Sequence, residues 1–203
     1  MRLSNLAVIA VFGTAFAQSN YPNQSAPFNL VLSSTVNTTL NGIKLTACHA
    51  GAAVEALCLD TTGAAASAQS YHFNISSDGQ TDPNLLEAGL LTWTNTGGSL
   101  NYSQSMAFVY NTASNVAYPM FYPDTAQPVA FTTEDLMAVP ATVNDAIAPP
   151  VPYGTGITYW DNRWAICEAY FQSYTYVALQ WVLGNGEAQN PSCQAVTVKR
   201  VFV

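Results

Sequence analysis

An all-β fold, an antiparallel sandwich or small barrel of about ten short strands, is predicted for this 203-residue chain by three observations. Short apolar stretches recur between turn signals, several alternate with period two, and a helical period fits only isolated segments. Phe28-Asn29-Leu30-Val31-Leu32 opens the series, alternating before it closes into an apolar run. Leu40-Asn41-Gly42-Ile43 sets Asn-Gly between apolar neighbours, which predicts a type I′ hairpin leading into Leu45-Thr46-Ala47-Cys48. Further strands are expected at 54–59, 71–75, 90–93, 106–110, 116–122 and 128–131, with turns at Asp78-Gly79 and Gly97-Gly98.

The segment 132–152 breaks the pattern. Thr133-Glu134-Asp135-Leu136-Met137 fits one helical turn with a threonine cap and early acids. Pro140, Pro149, Pro150 and Pro152 argue against regular ladders beyond it, so a long surface connection within one domain is expected. Strands resume at 156–160, 163–170 and 174–183, a turn falls at Gly184-Asn185-Gly186, and 195–203 reads as an edge or terminal strand. Phe171 to Leu183 also fits a helix with Phe171, Tyr174, Leu179 and Val182 clustered, but the strand reading is preferred. Leu179-Gln180-Trp181 and the chain length admit a β-trefoil-like alternative, which lacks three matching Gln-x-Trp units.

Only 8% of residues are charged against 49% hydrophobic, and Asp+Glu 12 against Lys+Arg 5 give a formal net charge of −7. Such a chain has little with which to neutralise phosphates, which weighs against nucleic acid and anionic membrane surfaces as partners. Few carboxylates can find a cation, so protonation relieves repulsion more than it breaks pairs. Stability is therefore expected to be level or slightly higher at pH 4 than at pH 7. Met1-Arg2, the apolar run Leu6 to Phe12 and Ala15-Phe16-Ala17 before Gln18 have the form of a signal peptide over 1–17, followed by a single secreted domain over 18–203. The run is shorter than the ~20 apolar residues of a membrane span, so an extracellular chain without a membrane anchor is expected. The oligomeric state stays open.

Four glycosylation sequons, at Asn23, Asn37, Asn74 and Asn101, agree with that route. So do Cys48, Cys58, Cys167 and Cys193, an even number that predicts two disulfides in an oxidising compartment. Of the three connectivities, Cys48–Cys58 with Cys167–Cys193 is preferred, because each pair lies within one end of the chain and can staple neighbouring strands. No C-x-x-C occurs and the histidines are His49 and His72, so no metal, no cofactor and no catalytic thiol is expected.

Pro27-Phe28-x-Leu30-x-Leu32 is followed by Leu45-Thr46-Ala47-Cys48-His49-x-Gly51-Ala52-Ala53-x-Glu55-x-Leu57-Cys58-Leu59. Towards the other end come Trp164-x-Ile166-Cys167, Tyr174-x-Tyr176, Leu179-x-Trp181-Val182-x-Gly184, Asn190-Pro191-Ser192-Cys193 and Val198-x-Arg200-Val201-Phe202. Together these resemble a family of secreted ascomycete fungal proteins with a domain of unknown function. The layout is more remotely similar to fungal cell-wall proteins of the conidiophore class. The resemblance implies a compartment and a fold type and brings no activity with it.

The expected role is a secreted, non-catalytic cell-wall or extracellular matrix protein. The alternatives are a module binding wall polysaccharide (glucan or chitin), and a secreted hydrolase or host-directed effector. Aromatic faces stack on sugar rings while amides and carboxylates bond the hydroxyls. Tyr118, Phe121 and Tyr122 have that composition, and so do Tyr153, Tyr159 and Trp160 beside Asp161, Asn162 and Arg163. Aromatics also fill sandwich interiors, so at least half of these are expected to be buried. Glycoside hydrolysis needs two carboxylates ~5–10 Å apart. Glu55, Asp161 and Glu168 are the candidates and read better as structural acids, so no catalytic residue is assigned. His49 within reach of Glu55 is half of a hydrolase triad without a Gly-x-Ser-x-Gly elbow, and reads better as tying down the disulfide loop. His72, alternating with Tyr71 and Phe73, is expected to face outward or line a pocket.

Overall fold

The computed structural model describes residues 20–61, 70–76, 86–95, 102–141, 143–144, 146–152 and 159–203, and only the backbone of Asn144, 151–152 and 159–160. The leader 1–17, the Asp78-Gly79 and Gly97-Gly98 turns, Asn101 and Tyr153 lie outside the described residues.

Alternating apolar residues build strands along the whole described chain. In order they are β1 (Asn23–Gln24), β2 (Phe28–Ser33), β3 (Leu45–Gly51), β4 (Val54–Leu59), β5 (Tyr71–Ile75), β6 (Ala88–Asn95), β7 (Tyr102–Tyr110), β8 (Val116–Tyr122) and β9 (Val129–Phe131). They continue as β10 (Met137–Pro140), β11 (Val143–Asn144), β12 (Val151–Pro152), β13 (Tyr159–Trp160), β14 (Trp164–Phe171), β15 (Tyr174–Val182), β16 (Gln194–Ala195) and β17 (Thr197–Phe202). The all-β antiparallel class is as expected. β11 pairs with β12 alone, and the other fifteen strands form one branched sheet that is not closed into a barrel. An unclosed sheet also leaves no barrel on which a trefoil could be built. Among the described residues no helix is long and apolar enough to cross a membrane.

Residues of one parity turn inward. Leu57 of β4, Phe121 of β8, Ile166 of β14, and Leu179 and Trp181 of β15 join Phe28, Leu30 and Leu32 of β2 in the principal core. Trp164 and Trp181 face each other across β14–β15 with ring centroids 4.7 Å apart. The Trp164 indole N–H donates to the Met137 carbonyl at 2.7 Å, and buried Tyr71 donates its hydroxyl to the Leu45 carbonyl at 3.1 Å, so neither large ring costs an unsatisfied donor. Side chains of this size contribute roughly 1.5–3 kcal/mol each when fully buried. The other parity forms two smaller clusters: Ala50, Val54, Ala56 and Met120 beside Cys48 and Cys58, and Val116, Ala165, Cys167 and Val182 beside Cys193.

Three local expectations are corrected. Asn41 has φ −66° and ψ 127° and only Gly42 is positive, at φ 81°, so Leu40–Ile43 is a type II turn closed by Ile43 N–H to the Leu40 carbonyl at 3.2 Å, not a type I′ hairpin. It follows a 3-10 turn (Thr38–Leu40) and folds back so that Gly42 and Ile43 bond Leu32, while the ladder partners of β2 are β17 and β5. Thr133 to Met137 is not helical but is the turn and start of a β9–β10 hairpin: Thr132 accepts from the Glu134 and Leu136 amides on its hydroxyl, at 3.2 Å each, and Asp135 takes φ 65°. Nor is 132–152 all surface connection, because Met137 and Ala138 are fully buried; Pro140 ends β10 opposite Tyr159 of β13. The ambiguous segment Phe171 to Leu183 is the strand β15 with its preceding turn.

The ends of the domain close on each other. β17 runs antiparallel to β2 from Thr197 opposite Ser33 to Phe202 opposite Phe28. Arg200 gives Nε and Nη2 to Asp135 Oδ1 at 3.0 and 2.7 Å, with its guanidinium 4.3 Å from the Phe131 centroid and 4.9 Å from that of Phe202.

Both disulfides pair as expected, Cys48–Cys58 across β3–β4 and Cys167–Cys193 from β14 to the residue before β16. Their sequence separations are 10 and 26, so loop entropy makes removal of the second costlier by about 0.8 kcal/mol on a loss of about 3 kcal/mol for either. Urea unfolding of the Cys48→Ala/Cys58→Ala and Cys167→Ala/Cys193→Ala variants should show that order.

Candidate functional site

Non-glycine residues avoid positive φ because Cβ collides with the backbone. Four described ones adopt it: Ala53, Asp135, Gln172 and Ser173. Three of these lie in two turns, Gly51-Ala52-Ala53-Val54 between β3 and β4 and Phe171-Gln172-Ser173-Tyr174 between β14 and β15, and those turns meet. A Cβ on Gly51 would collide with the Gln172 side-chain amide. The His49 and Tyr174 rings sit edge to face, 5.9 Å between centroids, while Phe171 and Tyr176 pack on the cluster of Ala50, Val54 and Ala56. Fully buried Gln104 holds the first turn, donating Nε2 to the Ala53 carbonyl at 2.6 Å. Backbone held in such regions by its surroundings concentrates at binding sites.

The corner carries a small set of polar groups. His49 and Glu55 are directly opposed in the β3–β4 register, Nδ1 and Oε1 3.9 Å apart, an ion-pair distance rather than a hydrogen bond. The imidazole is 61% exposed and the carboxyl 12%. Burial pushes the Glu55 carboxyl above the ordinary glutamate range, outweighing the pull of His49 in the other direction. The Tyr176 hydroxyl is buried, has no hydrogen-bond partner among the described residues, and is pushed upward by desolvation first and then by Tyr174 and Glu55. Tyr174 is 48% exposed. The arrangement brings a half-exposed ring, an exposed imidazole, a partly desolvated carboxyl and a buried tyrosine hydroxyl into one corner.

The segment singled out in the sequence is placed differently. Asn162 is exposed and Asp161 half-buried, while Arg163 directs its guanidinium to the Val182 and Gly186 carbonyls, fastening β14 to the turn after β15. Tyr159 and Trp160 lie on β13 opposite Pro140 and Val139. Their side chains are outside the described residues, as is all of Tyr153. Tyr118 and Tyr122 are half-buried, whereas Phe121 is core, stacked on Tyr71 at 5.7 Å. Glu168 is exposed on β14, and His72 is half-buried with Nδ1 3.1 Å from the Ser25 carbonyl. Among the described residues no three His, Cys, Asp or Glu come together as a metal site. Sequence reasoning passed over Gln172, Tyr174 and Tyr176 as site residues. Their signal was an alternating Tyr-Thr-Tyr directly after a Gln-Ser turn that lacks glycine or asparagine.

Residues 25–202 match the model of a family described as a domain of unknown function, DUF7907, and this chain belongs to that family. No curated protein and no solved structure matches it.

A carboxyl whose folded pKa lies above its unfolded one holds its proton more firmly in the folded chain. Its contribution to stability is present below the unfolded value and is lost as pH rises through the folded one. Glu55 therefore favours the folded state at pH 4 relative to pH 7, the same direction as relief of the net negative charge. Glu55→Gln should raise Tm at pH 7 while leaving it nearly unchanged at pH 4, narrowing the gap between the two in thermal melts.

Proposed function

We propose that this family member is a secreted, non-catalytic fungal cell-wall or extracellular matrix protein, and that it holds wall polysaccharide at the corner where β3–β4 meets β14–β15. The observation that carries this reading is the setting of Tyr174, a half-exposed ring edge-on to His49, directly after two residues at positive φ and two positions before the buried Tyr176 hydroxyl. Sugar recognition asks for an open ring face beside hydrogen-bonding groups fixed in advance, so that little freedom is lost on binding. Glu55, His49 and Gln172 supply donors and acceptors of that kind. One carboxyl beside one imidazole is half of what glycoside cleavage requires, which favours holding the chain over cutting it. The signal-peptide pattern of 1–17 and the two disulfides support the secreted location.

Retention on insoluble chitin and β-glucan tests the reading. The protein should be retained on one of them, and Tyr174→Ala should weaken binding about tenfold, equivalent to about 1.4 kcal/mol, with Tm held because the ring is half-exposed. No retention, or equal retention of the variant, would contradict it, and a loss confined to Trp160→Ala would move the site to the β13 segment.

A further inference from the structure

Two of the four sequons are partners in one ladder. β1 lies antiparallel to β5, with Asn23 opposite Ile75 and Gln24 opposite Asn74, so Asn23-Gln24-Ser25 and Asn74-Ile75-Ser76 run side by side. Their amides are in opposite situations. Asn23 is exposed and its Nδ2 donates one hydrogen bond, to the Ser76 carbonyl at 3.2 Å. Asn74 is 7% exposed, and its Oδ1 accepts from Gln24 Nε2 at 3.3 Å and from the buried Thr92 hydroxyl at 3.4 Å. A glycan on Asn74 would have to displace the Gln24 and Thr92 side chains that bond its amide, which sets it against completion of the β5 ladder.

All three residues of the first sequon also line a cavity of about 240 Å³, together with the apolar side chains of Phe73, Ile75 and Phe131. Pockets for free small ligands begin at about 300 Å³. This one suits a single ring delivered on a tether, whose high effective concentration offsets the small contact area. Glu87 and Arg200 at the same cavity provide an acceptor and donors for ring hydroxyls.

We propose that Asn23 is the N-glycosylated member of this pair, that Asn74 is not modified, and that the first sugar of the Asn23 glycan lies in the cavity against Phe73, Ile75 and Phe131. The proposal rests on the secreted location given above and is independent of the polysaccharide corner. In the transfer, Nδ2 of Asn23 attacks C1 of an oligosaccharide carried on a lipid pyrophosphate. The C1–N bond forms as the C1–O bond to the pyrophosphate breaks, the amide gives up one proton, and the lipid pyrophosphate leaves. One N–H remains on Nδ2, enough for the single bond to Ser76. The ring C–H groups of the sugar then pack on the parts of Phe73, Ile75 and Phe131 that line the cavity, both phenyl rings being otherwise buried in the core.

Expression in a glycosylating yeast, once with residues 1–17 and once with an unrelated leader in their place, separates the two readings. If only the unrelated leader exports the chain, the secreted location fails and the glycan proposal is still tested. On the exported chain, site-resolved glycopeptide mass spectrometry should find Asn23 occupied and Asn74 bare. After enzymatic trimming of every glycan to its first sugar, NOEs should connect the sugar on Asn23 to Phe73 or Phe131 ring protons, a readout that needs no variant. Asn23→Gln, trimmed in the same way, should melt about 3 °C lower. A bare Asn23, an occupied Asn74, or a sugar on Asn23 with neither the NOEs nor the Tm difference overturns the proposal.

Discussion

The guanidinium of Arg200 is the interaction on which closure of this fold depends. It is one of five basic side chains in the whole sequence, and it is caged by Phe28, Phe131 and Phe202 while bonded to Asp135. Those contacts tie together β2, β17 and the β9–β10 hairpin, elements far apart in sequence. The same junction is held by backbone, the Arg200 amide donating to the Asp135 carbonyl at 2.8 Å beside a Leu136–Lys199 bridge, so the cage adds side-chain contacts to a register that the main chain also specifies. The pair is partly exposed, so its Coulomb energy in isolation is modest. Its value lies in geometry, since a planar cation between aromatic faces fixes the relative position of three elements at once.

The other organising constraint is that each disulfide lies beside an apolar cluster on the face opposite the main core. A sheet with one buried and one wet face needs no such clusters. Here β4, β8, β14 and β15 carry apolar residues at both parities, and the second parity is covered by short segments held covalently: the β3–β4 hairpin by Cys48–Cys58 and the loop before β16 by Cys167–Cys193. The β14–β15 turn then packs over the first of these clusters, and this is what brings Tyr174 to His49. Pro119 contributes as well. β8 meets β4 at Met120 and Phe121 but β15 at Val116 and Ala117, and a residue without an N–H sits where the sheet divides.

Much of this was legible in the sequence because the strands obey simple alternation. β4, β5 and β8 fall on the expected 54–59, 71–75 and 116–122, and both cysteine pairs are local. What failed were readings based on single residues. Asn41-Gly42 forms a turn, but Asn41 keeps negative φ because its side chain accepts from the Ser34 amide at 2.6 Å and the preceding residues are already wound into a 3-10 turn. Thr132, one residue earlier than expected, caps the Glu134 and Leu136 amides, so the acids that suggested a helix instead sit in a tight hairpin. The candidate corner was illegible for a further reason. It is assembled from turns some 120 residues apart whose strained members are Ala, Gln and Ser, and nothing local in such residues announces a left-handed conformation.

The pairing of Phe28 with Phe202 also decides how this domain can be joined to others. A unit whose first and last core strands are neighbours enters and leaves at one point on its surface, so it can be spliced into a loop of a host protein without pulling the host's backbone apart. For the same reason a linker from the end of β17 to the residue before β1, with a new opening cut at an exposed turn such as Gly184-Asn185-Gly186, keeps the β17–β2 and β1–β5 ladders while reordering the chain. An unrelated domain fused at either end emerges beside Arg200 and the β1–β5 edge, on the side of the molecule where the cavity under Asn23 opens.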